Sequence, residues 1–198
     1  IAIAGMVISL LVLVAGNTAG ELWSIDTDGS VKKLGTFGNV PKNDGNSHNY
    51  DNAGKAWELS GDIVFLAIPQ LLYRCVAAAT GSPASHVGIA FEEAGGKWLV
   101  AESTIPVVTY TPLDDFLAKT DRGWVAVRRL KGGLGEEQEG ALRQACDLEL
   151  GKYYHQGFRY DSPRQFCSKF VYDAYRSALG IEVGEIETFA DLLARNPA

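Results

Sequence analysis

No run of lysine or arginine occurs anywhere in the 198 residues, and the formal net charge is −6. A nucleic-acid binder needs a basic stripe, so the composition speaks against that class. Cysteine is scarce: Cys75, Cys146 and Cys167 are too few for a disulfide scaffold, and an odd count leaves at least one thiol free. Internal repeats and low-complexity tracts are lacking, which excludes solenoids and arrays. An apolar run of comfortable membrane-spanning length is lacking too. The first sixteen residues carry no charge and little polarity beyond Ser9, which is short for a membrane span but suits the core of a signal peptide. Val14-Ala15-Gly16 fits a small-residue cleavage site with Asn17 as the first mature residue, and a lipid-anchor cysteine is missing there. Residues 1–20 are therefore read as a signal peptide or membrane anchor, with the protein working outside the cytoplasm.

What is present is one domain's worth of chain. Residues 21–60 read as an N-terminal hairpin around Asp28-Gly29 followed by a long Gly-, Asn- and Asp-rich loop holding His48. Asp26-Thr27-Asp28-Gly29 lacks the full spacing of a calcium loop and is turn chemistry. From Asp62 the pattern sharpens. Ile63 to Ile68 is a continuous apolar strand. Pro69 to Thr80 has the period of a helix stopped by Gly81, and Cys75 reads there as a small buried hydrophobe, as does Cys146 in its own helix. His86 to Glu92 and Lys97 to Ser103 are strands joined by a Gly-containing turn. Thr111-Pro112-Leu113-Asp114 is a helix start, with Thr111 as cap and proline at the first position. Trp124 to Leu130 is a strand. Glu136 opens a helix running to Leu150 and Gly151, and another ends at Leu179 before Gly180. Thr188 and Asp191 open a last short helix. Hairpins with helices grouped around them indicate α+β with a mainly antiparallel sheet, so residues 61–198 are expected to form one such domain.

The hairpin carries geometry. With Glu93-Ala94-Gly95 as its loop, His86 faces Glu102 directly across the strands, about 5 Å apart at Cβ. A slip of one residue would send Glu102 to the other face. A glutamate beside a histidine fixes its tautomer and supports the imidazolium. His86, Gly88 and Ala90 alternate with Val87, Ile89 and Phe91, so one face is small and leaves space for another element or a substrate. Cys167 lies near the start of an amphipathic helix, where free N–H groups and the dipole stabilise a thiolate and receive an oxyanion. The start itself is open. Ser162-Pro163-Arg164-Gln165 matches a capping box that would put Cys167 in the second turn, and a merely packed cysteine fits the periodicity equally. The spacing speaks against zinc binding, because the Cys, His and Glu are scattered without a close ligand pair.

Ser85-His86-Val87-Gly88-Ile89, Val100-Ala101-Glu102-Ser103 and Phe166-Cys167-Ser168-Lys169-Phe170-Val171, with Gly61-Asp62-Ile63-Val64-Phe65 before them and Gly151-Lys152-Tyr153-Tyr154 between, resemble the permuted papain-like amidases of bacteria, the YaeF/YiiX branch related to NlpC-type cell-wall peptidases. The resemblance covers residues 60 to 195. It implies a circularly permuted papain-like fold, with Cys167 as nucleophile, His86 as base, Glu102 as the third polar residue, and Tyr154, beside Tyr153 and Tyr160, at the oxyanion site. Lys169 stands where that family commonly has an acid. What is implied is a cysteine hydrolase cleaving amide or ester bonds in peptides or acylated small molecules of the bacterial periplasm or cell envelope, possible substrates including peptidoglycan. No cofactor and no metal are required. An acyltransferase on the same scaffold and a non-catalytic envelope binding module are the alternatives.

Overall fold

The computed structural model describes residues 8–16, 19–25, 31–38, 60–130 and 133–195, the first three segments as backbone. Eight strands form one sheet: β1 (Ile8–Gly16), β2 (Ala19–Ile25), β3 (Val31–Gly38), β4 (Asp62–Leu66), β5 (His86–Glu93), β6 (Lys97–Ser103), β7 (Val108–Pro112) and β8 (Val125–Leu130). Their order is β3-β2-β1-β8-β4-β5-β6-β7, and every neighbouring pair is antiparallel. The five helices are α1 (Leu71–Thr80), α2 (Leu113–Leu117), α3 (Glu136–Asp147), α4 (Cys167–Leu179) and α5 (Phe189–Arg195). This is the α+β architecture with an antiparallel sheet that the hairpin pattern indicates.

The alternation of side chains builds two cores. Ile63, Val87, Ile89, Phe91 and Ala101 point to the face covered by α3 and α4, where they meet Leu142, Cys146, Phe170, Val171, Ala174 and Tyr175. Val64, Leu66, Ala90, Val100, Val125 and Val127 point to the other face, against Leu113 and Phe116 of α2, with Tyr73 of α1 half-buried beside them. At the far end of β4, Asp62 is buried and held by a bidentate contact from Arg129, with Nε to Oδ1 at 2.9 Å and Nη2 to Oδ2 at 2.8 Å.

Several boundaries differ from the sequence reading. Within the uncharged N-terminal run, Ile8–Gly16 forms β1, which pairs with β8, and β2 pairs with β3 on either side of Asp28-Gly29. His48 and the loop around it lie outside the described residues. Helix α1 begins at Leu71, after an extended Gln70, so Pro69 stands before the helix instead of inside its first turn. Cys75 is exposed, not buried. It sits two residues from the inward-facing Tyr73, about 200° around the helix. Thr111 belongs to β7 and Pro112 takes the cap position of α2, because Val100 pairs with Thr111 and Leu99 with Pro112. Helix α3 stops at Asp147, since Gly151 and Lys152 exchange backbone hydrogen bonds with Val108 at 3.0 and 2.9 Å and so join the edge of β7. Thr188 and Asp191 cap α5 reciprocally. Among the described residues no helix is long and apolar enough to cross a membrane.

Candidate functional site

Glu102 faces Gly88, not His86. The loop is Ala94-Gly95-Gly96, with φ of +84° and +74° at the two glycines, and Glu93 pairs with Lys97. The register is thus two residues from the expected one. Because side chains alternate with period two, that offset keeps both groups on one face and makes them diagonal neighbours within reach of a long side chain. The Glu102 carboxylate closes the gap, with Oε2 2.6 Å from Nε2 of His86. Gly88 makes the diagonal short. A Cβ there would stand 2.5 Å from Cγ1 of Val100 and 2.9 Å from the carbonyl oxygen of Ala101. The small face of β5 therefore admits the neighbouring strand and Phe116, another element of the fold being one of the two occupants the alternation leaves space for.

Both partners are withdrawn from water: Glu102 is 0% exposed and His86 2%. The other carboxylate oxygen of Glu102 accepts from Thr111 at 2.5 Å and from the Lys119 ammonium. Burial opposes ionisation of Glu102, but His86, Lys119 and Thr111 outweigh it and hold the carboxyl below its usual range. The imidazole is packed between Phe116, 5.7 Å away by ring centroids, and the edge of Tyr73 at 5.5 Å. Its Nδ1 is buried and has no hydrogen-bond partner. With Nε2 taken by Glu102, Nδ1 is the nitrogen left to exchange a proton with a reacting group.

Besides Glu102, the titratable group that interacts with this imidazole is the Cys167 thiol. Helix α4 starts at Cys167 itself, after an extended Phe166 with φ −134° and ψ 163°, which settles the open helix start in favour of the first turn. The Ser162 hydroxyl instead accepts from the N–H of Arg164 at 3.1 Å as a local turn. Burial pushes the thiol pKa up. The His86 imidazole, the backbone N–H of Ser168 and the Tyr154 phenol together pull it down further, so it lies below the usual thiol range. In return burial would lower His86, yet Cys167 and Glu102 raise it to about 9. The two shifts have a shared cause, the mutual stabilisation of the charged forms of Cys167 and His86.

Tyr154 is 6% exposed; burial and the charge of Cys167 push its ionisation far above the ordinary range, against a smaller opposite pull from the backbone N–H of Cys167. A phenol O–H and a helix-start N–H converging beside a thiolate are two donors placed for an oxyanion. Tyr153, the neighbour that competed with it in the sequence, is 65% exposed. Tyr160 donates to Asp173 at 3.0 Å. Lys169 is buried and pairs with Asp173 at 2.6 Å.

All four residues named from the sequence thus come together. Three others escaped notice. Lys119 and Thr111 bind Glu102, and Tyr73 stands at the imidazole edge with its own ionisation suppressed by burial and by the Cys167 charge. The single aromatic residue of α1 was the available signal for the last.

Comparison with known proteins identifies the family and the fold. Residues 59–198 match the family described as "Permuted papain-like amidase enzyme, YaeF/YiiX, C92 family". The protein named "Uncharacterized protein YiiX" from Escherichia coli (strain K12) is 35% identical over 143 residues, covering 72% of this chain and 70% of its own. A crystal structure described as that of metalloprotein yiiX from Escherichia coli O157:H7, DUF1105, superposes with a TM-score of 0.60 at 37% identity, covering 64% of this chain and 69% of that one.

Proposed function

Because the chain belongs to the permuted papain-like amidase enzyme family, YaeF/YiiX, we propose that it is a cysteine hydrolase that opens amide or ester bonds through an acyl-enzyme on Cys167. One observation carries the reading. A histidine buried to 2% exposure is bound through Nε2 by a buried carboxylate, while its Nδ1 is left unpaired. A structural histidine would have both nitrogens satisfied.

The chemistry follows from the residues in hand. The Cys167 thiolate attacks the substrate carbonyl carbon, forming a C–S bond as the C=O pair moves to oxygen. The backbone N–H of Cys167 and the Tyr154 phenol donate to that oxyanion. As the tetrahedral species collapses, the C–N or C–O bond breaks and His86 gives its Nδ1 proton to the leaving group. Neutral His86 then takes a proton from water, which attacks the thioester and releases the acid and the thiolate. Glu102 holds the tautomer and balances the imidazolium throughout.

The Escherichia coli O157:H7 relative is described as a metalloprotein. Here, among the described residues, no group of three His, Cys, Asp or Glu side chains is placed to hold a metal ion, and Nε2 of His86 is engaged by Glu102. The donor set does not fit a metal, and no step passes through one.

The substrate in this reading is a peptide or acylated molecule of the bacterial cell envelope, peptidoglycan peptides included. The uncharged 1–16 run supports an exported protein. N-terminal sequencing of the mature chain checks this point: a start at Asn17 supports export with cleavage, whereas retention of the run speaks against cleavage and accords with Ile8–Gly16 as β1.

The reaction itself is tested by thiol labelling across pH. Cys167 should label selectively near neutral pH, fail to label in Cys167→Ala, and label at least tenfold more slowly at pH 6.5 in His86→Ala. Equal, slow labelling of all three cysteines, unchanged in His86→Ala, overturns the proposal.

A further inference from the structure

We infer that Gln165, two residues before the nucleophile, is the positioning residue of the oxyanion site, and that the buried Lys169 is there to hold it. The inference rests on the hydrolase reading above and extends it to a group that touches neither substrate nor thiol.

The main chain of Gln165 ties the two halves of the site together. Its N–H donates to the carbonyl of Tyr153 at 3.0 Å, and its carbonyl accepts from the N–H of His155 at 2.7 Å. These bonds straddle Tyr154, which bridges to Gln165 as a parallel pair. On its other side the N–H of Tyr154 donates to the carbonyl of Pro106 at 2.9 Å. The segment bearing the phenol is therefore laced to the segment bearing the thiol, and the position of one sets that of the other.

What then fixes Gln165 is its side chain, which is 2% exposed with the rest of the residue. Its Nε2 donates to Glu149 at 2.6 Å and to Asp173 at 3.2 Å. Its Oε1 accepts from the Lys169 ammonium at 3.2 Å. Lys169 also donates to Asp173 at 2.6 Å, and Tyr160 donates to the second oxygen of Asp173. Glu149 is held in turn by Lys152 at 2.7 Å. Two carboxylates converge on the amide N–H₂ and one ammonium on the amide oxygen, so each end of the amide meets the charge it can bond. A carboxylate at this position would add a third anion against a single buried cation, and a hydrocarbon would leave Lys169, Asp173 and Glu149 without their shared partner. This also accounts for the lysine at position 169. The site needs a cation where Glu149 and Asp173 approach each other, and Lys169, 8% exposed, supplies it from the first turn of α4.

Two reagents separate oxyanion positioning from thiolate formation. p-Nitrophenyl acetate acylates through a tetrahedral oxyanion, whereas iodoacetamide alkylates the thiolate by direct displacement and forms none. In the full chain, Tyr154→Phe should slow single-turnover acylation of Cys167 by about tenfold or more. Gln165→Met, which keeps the length and removes the polarity, should slow it comparably. At a pH where the thiolate is fully formed, alkylation should change by less than threefold in both. The double variant should acylate no more slowly than Tyr154→Phe alone, because both changes remove the same donor. Multiplying losses, or an equal fall in alkylation and acylation, would overturn the assignment and leave Gln165 as a packing residue. If Gln165→Met does not fold, Lys169→Met serves in its place with the same expectations. Absence of any Cys167-dependent acylation in the unaltered chain would instead sink the hydrolase reading, and this inference with it.

Discussion

Replacing Glu102 by glutamine removes one charge and almost no volume from a site with no exposure, so its effect isolates the electrostatics. His86 lies at about 9 against an ordinary 6.5, and at 1.36 kcal/mol per unit that gap corresponds to about 3 kcal/mol of net preference for the imidazolium. Burial works against it. The thiolate and Glu102 supply the upward pull between them, the thiolate the more. With Glu102 neutral, burial is met by the thiolate alone, and the imidazolium should titrate about 1–2 units lower. The coupled thiol should rise correspondingly. A single-turnover acylation profile against pH should therefore narrow from both sides, the alkaline limb moving down and the acid limb up. The carboxamide can also donate to Nε2 and so favour the tautomer with its proton on Nδ1, which cannot accept from the thiol. Losses on the order of 10²–10⁴ in maximal rate follow from a wrongly protonated base. An alkaline limb that stays at about 9 in Glu102→Gln, with a rate within threefold, would show that the carboxylate neither orients nor charges His86.

Gly88→Ala tests the close approach of β5 and β6. The new methyl meets the Ala101 carbonyl as well as Val100, so the strands must part beside Glu102. A loss of about 1–3 kcal/mol is expected, read as a fall of roughly 2–12 °C in melting temperature with slower Cys167 acylation. An unchanged melting temperature would contradict the clash. Asp62 gives a pH-dependent test. Burial raises its carboxyl from 3.8 to about 6 against the pull of Arg129, so folding takes up a proton between those values, and this group's contribution to stability falls as pH rises from about 4 to about 6. Denaturant midpoints at pH 4.5 and 6.5 should show that decline in the native chain and a smaller one in Asp62→Asn. An identical decline in both would mean that Asp62 is not the titrating group.

The parts of the site legible in the sequence were those set by periodicity. Alternation along β5 and β6 placed His86 and Glu102 on one face, and this survived a wrong loop because the error was an even number of residues. The loop choice itself turned on which two of three consecutive turn residues take positive φ, and Gly95 and Gly96 both do. Resemblance to a known family, not spacing, singled out Tyr154 from its neighbours. Lys119, Thr111 and Tyr73 were invisible because they reach the site from α1, β7 and the turn after α2, and only the packed sheet brings those elements to the end of β5. Cys75 misled for a related reason: a helix resting on a sheet by one narrow stripe leaves its apolar flanks in solvent. At α4 a good capping sequence at Ser162 lost to the backbone bonds of Gln165, which hold the chain extended up to Phe166.

The order in which these elements leave the ribosome has a consequence of its own. Strands β4 to β8 and helix α3, with the base and its carboxylate, are complete before α4 is made. A nascent chain at that stage can assemble most of the sheet around His86 and Glu102, with Cys75 exposed, while Cys146 waits for Phe170, Val171 and Ala174 of α4 to pack against it. Tyr154 and then Cys167 are the last parts of the machinery to be synthesised. In the reading proposed above, the nucleophile therefore joins its base last, carried in by the helix that begins with it.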